Sequence, residues 1–110
     1  MSRKEKIIAM LAEDPGDTFL RYSLAMELRS EGEHDESLQK LAELTKDTPP
    51  YVPAFFMAAQ QLVDLQRIDE ARTQLRTGID EARRQGDSHA AAEMSELMMS
   101  LGELGEGDEL

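Results

Sequence analysis

The chain has 110 residues, a net charge of −11 and no cysteine, so it holds neither a disulfide nor a thiolate zinc site. Its length is that of one domain. Acidic residues outnumber basic ones six to two in residues 31–50 and seven to none in residues 86–110. Such a surface repels nucleic acid and anionic membranes and favours a neutral or basic protein partner. The same charge also suits solubility or an adaptation to high salt.

The apolar segments are all short. Residues 7–12 are too few for a secretory signal peptide, and Glu13 and Asp14 follow them. Residues 54–59 fall far below the roughly 20 apolar residues that cross a membrane. We therefore expect a cytoplasmic protein.

Apolar residues recur at helical spacing along most of the chain, and residues that favour helices dominate its composition. Gly32, Pro49, Pro50 and Gly86 interrupt this pattern, because proline and glycine end helices. The pattern predicts helices at residues 4–13, 17–30, 34–46, 52–65, 68–85 and 88–101. Residues 102–110 contain three glycines and four acidic residues and are predicted to be an acidic flexible tail.

The chain also repeats itself at a spacing of 34 residues. Each repeating unit contains two of the predicted amphipathic helices. The aligned positions keep their size or charge: Pro15 with Pro49, Tyr22 with Phe56, Ala25 with Ala59, Leu28 with Leu62, Asp35 and Glu36 with Asp69 and Glu70, Ser37 with Ala71, and Leu41 with Leu75, a column that Ile7 joins.

These columns resemble the tetratricopeptide repeat (TPR), in a small bacterial-type member with two repeats. The resemblance implies an all-α fold of about six helices, with antiparallel pairs in a short right-handed α-solenoid. Repeat 1 would span residues 17–50 and repeat 2 residues 51–85. Residues 4–13 would be an N-terminal half-repeat helix and residues 88–101 a capping helix, all in one domain over 1–101. The residues expected to pack the repeats are Leu24, Ala25, Leu28, Ser37, Leu41, Ala59, Leu62, Ala71 and Leu75.

Three positions depart from the family pattern. Arg21 stands where a large apolar residue is usual, Leu44 where a small residue is usual, and Arg83 where a proline usually closes the repeat. Without that proline, the fifth helix is expected to run longer. After this insertion, a shift of 36 residues aligns Ala59 with Ser95 and Leu62 with Met98.

In the family, the first helix of each pair lines a concave groove that binds the ligand. Ala92 and Glu96 could complete such a groove here. Tyr22 and Phe56 could instead simply pack against neighbouring helices. The family's carboxylate clamp, built from Lys and Asn on this face, is excluded because the chain has no Asn. The resemblance implies a groove lined by Phe19, Tyr22, Met26, Arg29, Phe56, Gln60 and Val63.

No residue pattern points to catalysis or to a cofactor. His34 and His89 have no second histidine at helical spacing, and Ser88 beside His89 does not make a triad. The acidic residues between positions 31 and 36 lack the spacing of a calcium-binding loop. We predict no enzyme activity, no metal site and no cofactor.

The sequence thus favours a scaffold that binds a segment of a partner protein in the concave groove. The alternative is a self-associating structural module, for example a homodimer. It would stack repeats through the N-terminal helix or through the last helix, which carries Met94, Met98 and Met99.

The small residues at the 34-residue spacing predict a close helix contact at Ala59. Ala59→Leu should overpack it and lower the free energy of unfolding by about 1–3 kcal/mol. Urea melts of the variant and the wild type measure this change. An unchanged midpoint would refute the assigned register.

Overall fold

The computed structural model describes residues 1–105. Within them no strand occurs, so the prediction of an all-α chain is confirmed. Six helices follow one another: α1 Arg3–Glu13, α2 Thr18–Ser30, α3 His34–Thr45, α4 Val52–Asp64, α5 Ile68–Arg84 and α6 Ser88–Gly105.

The first five helices begin and end within one residue of their predicted bounds. The sixth does not, because α6 continues past Leu101 to Gly105. The prediction that the tail begins at residue 102 is therefore wrong. A glycine inside a helix costs only about 1 kcal/mol. Just before these glycines, the Leu101 carbonyl accepts from Arg72 Nη2 of α5 at 2.8 Å. Residues 106–110 of the predicted tail lie outside the described residues.

Side chains cap backbone N–H groups at the starts of α1, α2 and α6. At α1, Ser2 Oγ accepts from the Glu5 N–H, and the Glu5 carboxylate accepts from the Ser2 N–H, both at 3.1 Å. Asp17 accepts from the Leu20 N–H at the start of α2, and Asp87 caps α6 in the same way. Each cap satisfies a donor that has no partner within its helix.

Helices α2, α4 and α5 each end in the same type of turn. In it, a residue with positive φ lets the next backbone N–H donate to a carbonyl of the last helical turn. Gly32 and Gly86 take this position with φ of 80° and 79°. Gln66 takes it after α4 with φ of 61°, although a side chain in that region costs about 1 kcal/mol or more. The 34-residue repeat aligns Gln66 with Gly32, so the turn recurs at the equivalent position although the residue there is not glycine.

The chain divides into two compact units, Met1–Ala54 and a second unit that begins at Phe55. The prediction of a single domain over residues 1–101 stays a prediction.

In the first unit, α2 packs against both α1 and α3. Ser37 and Ala25 are fully buried where α3 crosses α2, and Ser37 Oγ donates to the Ala25 carbonyl at 2.7 Å. Leu41 and Leu44 are fully buried beside this contact. A hydroxyl group is thus buried with its hydrogen bond satisfied, which avoids the cost of an unpaired polar group.

In the second unit, α5 packs against α6. Gly78 lies in the middle of α5 and is buried. A Cβ atom added to Gly78 would lie 2.6 Å from Phe55 Cβ and 2.7 Å from Met94 Sδ. Both distances are far below van der Waals contact, so the absent side chain is what allows α4 and α6 to approach α5 here.

Gly78→Ala tests this close approach. In an open helix the change would stabilise the protein by about 1 kcal/mol. Here the overlap with Phe55 Cβ should dominate and destabilise the fold by about 1–3 kcal/mol. Urea melts should show the loss for Gly78→Ala, whereas Thr77→Ala, at the exposed neighbouring position, should be neutral or slightly stabilising. Equal stability of Gly78→Ala and the wild type would contradict the contact.

Candidate functional site

The predicted groove residues of α2 lie on one partly exposed side of that helix. Phe19 is 70% exposed, whereas Tyr22, Met26 and Arg29 are half-buried. Their spacing of three and four residues places them on one helical face. Asp17 starts α2 two residues before Phe19, so the ring lies in the first turn. The first unit therefore presents an apolar stripe that ends in an arginine.

Tyr22 packs against an aromatic residue that the sequence reasoning missed. The rings of Tyr22 and Tyr51 meet edge to face, with centroids 5.6 Å apart and planes at 72°. Burial raises the pKa of the Tyr22 phenol, and Tyr51 raises it further. The prediction that Tyr22 packs against neighbours thus holds in part, because the half-buried ring still keeps an exposed portion. The sequence signal for this contact was an aromatic residue, Tyr51, directly after Pro50.

The predicted groove residues of the second unit lie on α4. Phe56, Gln60 and Val63 are all half-buried and share one helical face. The neighbouring Phe55 is buried against Gly78. Two successive phenylalanines therefore have different roles, because consecutive side chains on a helix point about 100° apart. Phe55 belongs to the core and Phe56 to the partly exposed face.

Arg21, the departure from the family pattern, forms an ion pair that the sequence reasoning missed. Its Nη1 and Nη2 donate to the two carboxylate oxygens of Asp47 at 2.7 and 3.1 Å. This bond raises the pKa of Arg21 further, so the guanidinium remains charged. Both side chains are about one quarter exposed. An arginine at an apolar position was the signal that a carboxylate had to lie nearby.

A cleft of about 200 Å³ lies in the first unit beside Arg21. Its walls come from α1, from the turn after it, and from α2 and α3. Leu24, predicted to pack the repeat, is half-buried because it lines this cleft. The remaining packing positions are buried within their own units: Ala25, Leu28, Ser37 and Leu41 in the first, and Ala59, Leu62, Ala71 and Leu75 in the second. The cleft is lined by Leu11, Pro15, Arg21, Leu24, Lys40 and Glu43.

The histidines stand apart from any metal-binding arrangement. Among residues 1–105, no three His, Cys, Asp or Glu side chains come together in a way that could hold a metal ion. His89 Nε2 lies 2.5 Å from Glu93 Oε1, one turn along α6. Within the same residues, none of the helices combines the length and apolarity that crossing a membrane requires.

Comparison with known proteins gives two likenesses. No protein-family model matches the chain, and no curated protein matches it. The solution structure of a tetratricopeptide repeat domain protein from Salinibacter ruber is 28% identical over 82% of this chain and 91% of that one, with a TM-score of 0.76. The solution structure of a protein from Bordetella parapertussis is 22% identical over 94% of this chain and 90% of that one, with a TM-score of 0.79, and shows the fold alone. Both fit the predicted helical-repeat fold class.

The raised pKa of Tyr22 predicts a loss of stability at alkaline pH. Ionisation is harder in the folded state than in the unfolded state. The stability due to the neutral phenol is therefore complete below the unfolded pKa of about 10 and is lost as the pH rises towards the folded pKa. Tyr22→Phe keeps the ring and removes the titration. Urea melts between about pH 8 and pH 11 should show a smaller alkaline loss for this variant. An identical loss would assign the alkaline effect to other groups.

Proposed function

Because this chain is a small TPR-like protein, we propose that it is a non-catalytic scaffold that binds a segment of a partner protein. The fold supports a role in protein interaction in general. Our finer proposal is that the segment lies in a groove lined by the first helices of the two repeats. Those helices are α2, with Phe19, Tyr22, Met26 and Arg29, and α4, with Phe56, Gln60 and Val63.

The observation that carries the proposal is the apolar stripe on α2. Phe19 is 70% exposed in a chain with a net charge of −11, and the half-buried Tyr22 and Met26 continue the stripe along the same face. Exposed aromatic area of this kind contributes most to binding when a partner buries it. Each apolar anchor buried there contributes about 1.5–3 kcal/mol, so a few anchors suffice for a micromolar complex after the costs of association.

The charge distribution suggests the kind of partner. Acidic residues predominate around the turn between α2 and α3 and throughout residues 86–110. A neutral or basic protein segment would be attracted to this field, whereas nucleic acid and an anionic membrane would be repelled. We therefore propose a protein partner with apolar anchors and no excess of acidic residues.

Self-association is the competing function for the same protein. An exposed apolar stripe fits a second copy of the chain as well as a foreign segment. The two functions differ in their dependence on protein concentration, because only self-association responds to the concentration of this chain alone. Light scattering of the wild type and of Tyr22→Ala with Phe56→Ala over a concentration range separates them, because only self-association through these residues is lost in the double variant.

The test is affinity capture from a lysate of the native cell, with the partner identified by mass spectrometry and its affinity then measured with purified protein. Tyr22→Ala combined with Phe56→Ala should abolish capture. Phe19→Ala alone should weaken binding about tenfold, because it removes one anchor of about 1.4 kcal/mol or more. The matched control is Gln39→Ala with Thr73→Ala, at exposed positions of the second helices, which should leave binding unchanged.

Circular dichroism and the melting temperature accompany each variant. Unfolding of the double variant would mean that Tyr22 and Phe56 are core residues. Phe19→Ala then decides the proposal, because a side chain this exposed is not needed for folding. Full binding by a folded Phe19→Ala and a folded double variant would show that the partner binds elsewhere.

A further inference from the structure

The 34-residue repeat shows which side of α1 is uncovered. Three columns run through the second helices of the pairs, and Ile7, Leu41 and Leu75 in the middle column are all buried. Two outer columns flank it, and in both of them the residues that belong to α3 and α5 are buried. The corresponding residues of α1 are exposed: the side chain of Arg3 is 78% exposed and Met10 is 48% exposed. The outer columns are Arg3, Ser37 and Ala71, and Met10, Leu44 and Gly78.

Helix α6 has an exposed side where the second helix of a pair would pack. Ala25 is fully buried where α3 crosses α2, its repeat equivalent Ala59 is also fully buried, and Leu28 and Leu62 are buried as well. The 36-residue shift aligns these columns with Ser95 and Met98 of α6, which are both half-exposed. Met99 next to them is 75% exposed. The side of α6 that a second helix would cover is therefore open within residues 1–105.

The two open helices carry opposite charge. The start of α1 has Arg3, Lys4 and Lys6 against Glu5, whereas residues 86–105 contain four acidic residues and no lysine or arginine. Arg3 and Lys4 each contact α2 through one ion pair of 2.8 Å, to Glu27 and Glu31. The Arg3 side chain is 78% exposed and that of Lys4 is 33% exposed. Charge complementarity of this kind favours and orients an encounter between the two helices.

We propose that α1 of one copy of this chain pairs with α6 of a second copy, and that together they form a first-and-second-helix pair like those within each copy. The contact that joins Ser37 to Ala25 gives the register. In the same columns, Arg3 of one copy faces Ser95 of the other. The contact uses different surfaces on the two copies, so it is heterologous and propagates as a chain or closes as a ring. It does not depend on the proposed groove.

The side chains at this contact set its strength. Within each copy, Ser37 contacts Ala25, and the repeat places the fully buried Ala71 and Ala59 in the same columns, all small residues that permit close approach. Arg3 is much larger, so the intermolecular helices lie farther apart and bury less area. When the exposed ion pair with Glu27 opens, the long arginine side chain can lie over Ser95 and reach the acidic surface of α6. The association is therefore weak, reversible and sensitive to salt.

Site-specific cross-linking tests the register without background, because the chain has no cysteine. Arg3→Cys and Ser95→Cys copies are mixed under mild oxidation, and the disulfide-linked dimer is quantified. The mixture should cross-link about tenfold faster than either variant alone. The matched control mixes Ser95→Cys with Glu5→Cys, which lies near the opposite side of α1. Equal rates for both mixtures would overturn the proposal.

Sedimentation of the wild type over about a hundredfold range of concentration supplies the second measurement. The mass should rise with concentration and fall again at high salt. Ser95→Arg places a cation opposite Arg3 and should weaken association about tenfold. Lys46→Glu, an exposed change outside both helices, should not weaken it. A monomer at every concentration, or equal association of Ser95→Arg and wild type, would overturn the proposal. Loss of association on Tyr22→Ala with Phe56→Ala, but not on Ser95→Arg, would assign it to the groove instead.

Discussion

Close approach of helices over residues with little or no side chain is the constraint on which each unit depends. In the first unit, Ala25 and Ser37 allow α2 and α3 to meet closely enough for the serine hydroxyl to bond a backbone carbonyl. In the second, Gly78 leaves no room for even a Cβ atom between α5 and its neighbours Phe55 and Met94. These contacts set the rotation of each helix, because a helix turned by one residue would bring a larger side chain into the same space. The faces left exposed on α2 and α4 follow from that rotation.

The adjacent phenylalanines of α4 show how packing determines which residues are available to a partner. Phe55 is buried because Gly78 lies opposite it, and Phe56 is consequently left half-exposed. On α2, the same logic buries Ala25 and leaves Phe19 at the surface. The residues of the proposed groove are thus those that the packing of the core leaves partly exposed. Changes to the packing columns would alter it without touching a groove residue.

The proposed surfaces serve different kinds of recognition. In the first proposal, the partly exposed aromatic residues of α2 and of α4 are anchors for a foreign segment, and in the second, α1 and α6 are incomplete halves of a helix pair that bind another copy. A chain that used both would present several grooves in one assembly and would gain avidity for a partner with several binding segments. The fold class alone decides neither use, because function resides in particular side chains on a shared scaffold.

The amino-acid sequence by itself determined the helices and their pairing. Helical periodicity, glycine and proline at the breaks, and columns of small residues at a 34-residue spacing are local or repeated signals, so five helices were predicted within one residue. The end of α6 was missed because Gly102 was taken as a break, whereas the helix continues to Gly105 and the Leu101 carbonyl before it binds Arg72, 29 residues away. Only the tertiary structure decided that Tyr22 meets Tyr51 and that Arg21 binds Asp47 across 26 residues. Such contacts form only when packing brings two separate segments together. The spacing of residues in the sequence does not encode the distance between those segments in space.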